Sequence, residues 1–338
     1  MEERVDASEF GIYVHIPFCA SRCDYCAFVT TVGRRDRASA YVDAVIRDIE
    51  GVRESSRWRT PSTVYIGGGT PSLLPPGALT QILSTIDAPP EAEVTVEANP
   101  ESATPKFLEE ARASRVSRVS LGAQSFVPHV LVGLGRRHDT ASVAAAARTI
   151  GELAFASFNI DLIYGAPAER DEDLLASLDA LFALEPAPPH VSAYALTVEA
   201  GTPLSRDPTR HPDDDDCARR YEMIDERLSS TGYRWYEISN WSKPGHECRH
   251  NLSCWRGGEY LGFGCAAHSH YGGARYANVS SFERYIARID EGRSPVAWRE
   301  RLGEDDAMIE RLELALRTND GVPSEALADD PALDGLVV

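Results

Sequence analysis

Lysine is nearly missing from this chain. Lys106 and Lys243 are the only two in 338 residues, and arginine supplies the rest of the 34 basic side chains. A mechanism built on a Schiff-base lysine therefore has few candidates. Positive charge as a whole is short: 52 acidic residues leave a net charge of −18. That balance argues against nucleic acid or an anionic membrane surface as a main partner. No apolar run approaches the roughly 20 residues of a membrane helix, so no transmembrane segment is expected. The start, MEERVDASEF, is acidic and has no signal-peptide core, which places the expected location in the cytoplasm. Seven cysteines in such a chain imply a reducing compartment, with thiols as ligands rather than disulfides. The sequence does not fix an oligomeric state.

What is present alternates. Apolar, β-branched runs fall at 12–16, 63–66, 93–97, 118–121, 157–163 and 191–196, and helical patterns fall between them at 38–53, 76–86, 104–113, 140–153 and 171–184. This spacing predicts six βα units with a parallel sheet, an α/β partial (β/α)6 TIM-like barrel. A hydrophobic content of 43% provides a core for one large barrel plus a smaller domain. Barrels of this kind carry their chemistry at the C-terminal ends of the strands. The informative residues fall there, one group after each predicted strand.

The first group is IYVHIPFCASRCDYCAF. Cys19, Cys23 and Cys26 stand at C-x3-C-x2-C directly after the first strand. Three thiolates hold three irons of a [4Fe–4S] cube and leave the fourth iron open for a small molecule. This spacing resembles the radical S-adenosylmethionine (SAM) superfamily. The alternative is a zinc site, in which Cys23 and Cys26 join Cys248 and His250, although C-x-H is a poor spacing for a zinc finger. Gly67, Gly68 and Gly69, followed by Thr70 and Pro71, let the backbone approach a ligand closely. The same run also reads as a tight βα turn in which Thr70 or Ser72 caps the next helix. Glu97 ends an apolar strand that points into the barrel, where a carboxylate needs a partner. Gln124, Arg136 and Asp161 are similar cases, with a surface arginine and a turn cap as the plain readings of the last two. Asp213–Asp216 reads as a solvated helix start. Cys217 and Cys265 read as core, His15 as core or as a neighbour of the cluster, and His268 and His270 as weaker signals.

Together YVHIPFCASRCDYCAF, GGGTPS, VEANPES, RVSLGAQSF, GRRHD, NIDLIYGAP and SAYALTVEAGTP resemble oxygen-independent coproporphyrinogen III oxidase and its relatives over nearly all of residues 10–320. The oxidases carry a further cysteine in C-x-C after the triad. Here that position is Phe28, as in the HemW-type haem chaperones. CRHNLSCWRGGEYLGFGCAAHS resembles the HNxxYW region of those chaperones, with Cys254 in place of the tyrosine. The chain also begins directly at the first strand, without the oxidases' extension.

The resemblance implies a radical SAM barrel over 1–205 and a small α+β domain over 206–338, possessing an end, LADDPALDGLVV, that reads as an interrupted helix–turn–strand and stops short of the family's usual length. It implies a [4Fe–4S] cluster on Cys19, Cys23 and Cys26. Tyr13 and Tyr25 would flank the cluster and contact SAM. Gly68, Gly69 and Thr70 would take its methionine end, and Glu97, Gln124, Arg136, Asp161 and Ala195 its amino, ribose and adenine parts. His250, Asn251, Cys254 and Trp255 would contact haem, for transfer to an unidentified acceptor protein. An electron donor is needed only if SAM is cleaved. Two other functions stand beside this one: SAM-dependent decarboxylation of coproporphyrinogen III, and radical SAM chemistry on an unknown substrate.

Overall fold

Every second residue of β1 (Phe10–Ile16) is apolar, and Phe10, Ile12, Val14 and Ile16 are fully buried. Strand side chains alternate between faces, so Gly11, Tyr13 and His15 share the opposite face. The computed structural model describes residues 9–322, so the reading of LADDPALDGLVV lies outside the described residues. After β1, the short pair β2 (Phe18–Cys19) and β3 (Thr31–Val32) closes the cysteine loop, and α1 (Ala38–Arg53) returns over the sheet. The units that follow are β4 (Thr63–Gly68) with α2 (Ala78–Ile86), β5 (Glu93–Ala98) with α3 (Pro105–Ala113), and β6 (Arg118–Gln124) with α4 (Pro128–Gly133) and α5 (Thr140–Glu152). Then come β7 (Ser157–Tyr164) with α6 (Asp171–Phe182), and β8 (His190–Ala195) followed by α7 (Asp214–Ser230).

β1, β4, β5, β6, β7 and β8 lie side by side in chain order, each parallel to the next. This is the partial (β/α)6 arrangement expected from the sequence. The helices begin where local chemistry lets them. Asp139 caps α5 by accepting the Ser142 N–H at 2.8 Å, and Asp213 caps α7 by accepting from Asp216 at 3.0 Å. Such caps satisfy N–H groups the helix leaves unpaired. Val45 and Ile49 of α1 and Leu79 and Ile82 of α2 are buried in one core with Val64 and Ile66. Each such side chain contributes roughly 1.5–3 kcal/mol by burial.

The remaining strands extend the same sheet at both edges. β9 (Arg234–Glu237) and β10 (Asn240–Ser242) add antiparallel beside β8. α8 (Arg249–Trp255) leads into β11 (Glu259–Phe263), which runs parallel to β1 on its other side, with Tyr13 opposite Gly262. β12 (His268–Tyr271), β13 (Ala274–Asn278) and β14 (Val296–Glu300) continue outward antiparallel. α9 (Phe282–Asp290) packs on α1, and α10 (Glu304–Ala315) follows. No helix among the described residues is long and apolar enough to cross a membrane.

Candidate functional site

The C-terminal strand ends enclose a cavity of about 440 Å³. Cys19, Cys23 and Cys26 line one wall. Gly68, Gly69 and Thr70 line the next, and Glu97, Gln124, Asp161 and Ala195 complete the ring with Tyr25 and Arg136. Local geometry places them. Gly68 has φ 110°, which side chains avoid, and a Cβ on Gly69 would meet the Ile16 and Phe18 carbonyls at 2.8 Å. The glycines are therefore needed for the chain to pass this close to β1. Thr70 makes no side-chain cap. Its hydroxyl lies 3.6 Å from Cys19 Sγ and accepts from Asn99 Nδ2 at 3.1 Å. The capping alternative for Thr70 is thus not what the fold uses. Gln124 reaches the cavity from a non-glycine φ of 63°, at an irregularity in the β6–β7 pairing.

Arg136 is not a surface arginine. It donates to Asn99 Oδ1 at 2.8 Å, to the Gly122 carbonyl at 2.9 Å and to Cys23 Sγ at 3.5 Å. Burial raises the Cys19 and Cys26 thiols above their ordinary range, a cost that binding to iron removes by holding the thiolate. Glu97 accepts from the Tyr65 hydroxyl at 2.8 Å and from the Gly68 N–H at 2.9 Å. Burial nonetheless lifts its pKa to about 7, and nearby Asp161 adds to the rise. Asp161 is also raised by burial, against hydrogen bonds from Ser192, Asn159 and Ser120. Neither carboxylate has an ion-pair partner among the described residues. Two buried acids outside any ion pair fit a ligand that brings positive charge, as SAM does with its ammonium and sulfonium. Among the described residues no three His, Cys, Asp or Glu side chains converge as ligands of a single ion. A cube spreads its thiolates wider, one to each iron. The zinc alternative fails on position: Cys248 is buried against Glu93 at the start of β5, with Sγ 3.5 Å from Oε1.

A second cavity of about 510 Å³ adjoins the first. Tyr65 and Phe28 line both, and Phe28 is 68% exposed at the rim between them. Its other walls include His15, His250, Asn251, Cys254, Tyr260 and His268. His250 Nδ1 is 2.9 Å from Thr63 Oγ1, and its ring stacks on Tyr65 with centroids 5.3 Å apart. Burial lowers its pKa to about 4, so the imidazole is neutral. His15 is buried, between the Tyr13 hydroxyl and the Val29 carbonyl of the cysteine loop.

Two expected site residues fall elsewhere. Tyr13 lines the second cavity rather than the cysteine-lined one; on β1 it stands between Gly262 of β11 and Tyr65 of β4. Trp255 lines neither cavity; its ring lies under the Arg317 guanidinium, 5.9 Å away. Sequence reasoning passed over Tyr65, Asn99 and Ser120. Tyr65 shows only strand alternation, whereas Asn99 directly follows Glu97-Ala98 at a strand end and was open to notice.

Three cysteines after the first strand of an open parallel barrel, facing glycines and buried acids, define a radical SAM protein. The Radical SAM superfamily model matches residues 13–181. Haem chaperone HemW of Mycobacterium tuberculosis is 44% identical over 325 residues, covering 93% of this chain and 83% of the relative. Haem chaperone HemW of Escherichia coli is 38% identical over 264 residues, covering 76% and 69%. The solved structure of coproporphyrinogen III oxidase (HemN) from Escherichia coli superposes with TM-score 0.82 over 92% of this chain and 76% of that one, at 24% identity, a likeness of fold. The chain belongs to the haem chaperone HemW family of the radical SAM superfamily. Superfamily membership implies a [4Fe–4S] cluster and SAM.

Proposed function

We propose that this chain is a cytoplasmic haem chaperone that binds haem and passes it to an acceptor protein. Cys19, Cys23 and Cys26 would hold the cluster, with SAM beside it against Gly68, Gly69, Thr70 and Glu97. SAM in this setting completes the cluster and is exchangeable. Gln124, Arg136, Asp161 and Ala195 shape the rest of that pocket, and Tyr25 closes it. The carrying observation is the second cavity, where His250, Asn251 and Cys254 gather behind Phe28 and apart from the cysteine wall. A neutral imidazole and a flanking set of aromatic rings suit an iron porphyrin. Phe28, where the oxidases carry a cysteine, supports the chaperone over the decarboxylase. The test is one anaerobic sample, reconstituted with iron and sulfide, titrated with haem and assayed for coproporphyrinogen III decarboxylation with SAM and a reductant. Haem uptake without decarboxylation is expected, and decarboxylation would restore the oxidase reading.

A further inference from the structure

Three imidazoles line the second cavity, and their hydrogen bonds sort them. His15 has both ring nitrogens engaged, Nδ1 with the Tyr13 hydroxyl at 3.1 Å and Nε2 with the Val29 carbonyl at 2.8 Å. It has no lone pair left for a ligand. His250 is engaged at Nδ1 by Thr63, which leaves Nε2, but its ring is held between Tyr65 and the edge of Tyr260 and is only 7% exposed. His268, the first residue of β12, is exposed, and neither of its ring nitrogens has a hydrogen-bond partner among the described residues. Cys254, the remaining soft donor, has its thiol pushed up to about 12 by burial, so ligation by it would first cost that proton.

We propose that His268 supplies the nitrogen that ligates the haem iron in the second cavity. This rests on the haem-binding reading and adds the ligand, which lies outside the HNLSCW segment. The bond that forms is a dative one from a free imidazole nitrogen to iron, displacing water. The absence of an outer hydrogen-bond partner matters. Partners of that kind typically strengthen metal binding 10–100-fold. An imidazole without one, standing at an exposed rim, makes a bond that a cargo can leave. The clamped His250 would form part of the wall of the porphyrin site.

The test uses the full chain with its cluster reconstituted, titrated with ferric haem and followed by the Soret band and EPR. His268→Ala is expected to lose the histidine-ligated spectrum and to bind haem more weakly. Free imidazole is expected to restore the spectrum, which a misfolded variant would not allow. His268→Met keeps a donor at the position and is expected to move the band rather than abolish it. Wild-type spectra and affinity in both variants would overturn the assignment, as would a loss in His268→Ala that imidazole does not repair. A wild-type chain that takes up no haem overturns the haem reading itself, and this ligand with it.

Discussion

The Tyr65 hydroxyl donates to Glu97 Oε1 at 2.8 Å, and through it the wall between the two cavities is tied to the acid of the first. The ring of the same tyrosine lies on His250 of the second. The hydrogen bond lowers the Glu97 pKa, against burial that lifts it to about 7. Tyr65→Phe keeps the ring and removes the donor. Glu97 then holds its proton to higher pH. The pH at which SAM binding reaches half its maximum is expected to move upward, as read by equilibrium binding across the neutral range. An unchanged profile would show that this bond does not set the acid.

Glu97→Gln keeps the shape and removes the charge. Loss of one charge-assisted hydrogen bond is expected to weaken SAM binding by roughly 1.5–3 kcal/mol. Stability of the ligand-free protein moves the other way. The folded-state pKa of about 7 lies above the ordinary 4.5, so Glu97 detracts from stability progressively as pH rises between the two. Thermal unfolding above neutral pH is therefore expected to show a higher Tm for Glu97→Gln than for the wild type, with the gain gone at low pH. A lower Tm at both pH values would mean the carboxylate is paired in the folded state.

Alanine at Cys19, Cys23 or Cys26 is expected to abolish most bound iron and the reduced-cluster EPR signal. Alanine at Cys248, which faces Glu93, is expected to leave both intact. Iron analysis of the four variants separates the cube from a site shared with Cys248.

A Cβ on Gly68 would lie 2.4 Å from the His15 ring, at a φ of 110°. Gly68→Ala is expected to cost about 1–3 kcal/mol of stability through backbone strain. It should also disturb both cavities, because His15 holds the Val29 end of the cysteine loop. Denaturant unfolding gives the first effect and parallel SAM and haem titrations the second. A variant that weakens SAM binding alone would show that His15 transmits nothing.

The six central strands and their helices were legible because each is a local pattern: apolar, β-branched runs for the strands and helical spacing for α1, α2, α3, α5 and α6. The cysteine triad was legible for the same reason, since its ligands lie within eight residues. The second cavity was not. It depends on β11 pairing with β1 across more than 240 residues of chain, which no local pattern encodes. Tyr13, expected among the SAM contacts, lines that cavity instead. Tyr65 was passed over because a tyrosine at an alternating strand position looks the same whether it packs or bridges two sites. The turn of α8 that brings His250, Asn251 and Cys254 to the cavity carries Trp255 away toward Arg317.

Two cavities with separate occupants are the centre of this account, and simultaneous binding tests it most directly. Reconstituted protein is saturated with labelled SAM and then titrated with haem, with both ligands quantified per chain by equilibrium dialysis. The expected result is one SAM retained per chain when one haem has bound. Displacement of SAM mole for mole by haem would place both ligands in one cavity and contradict the account.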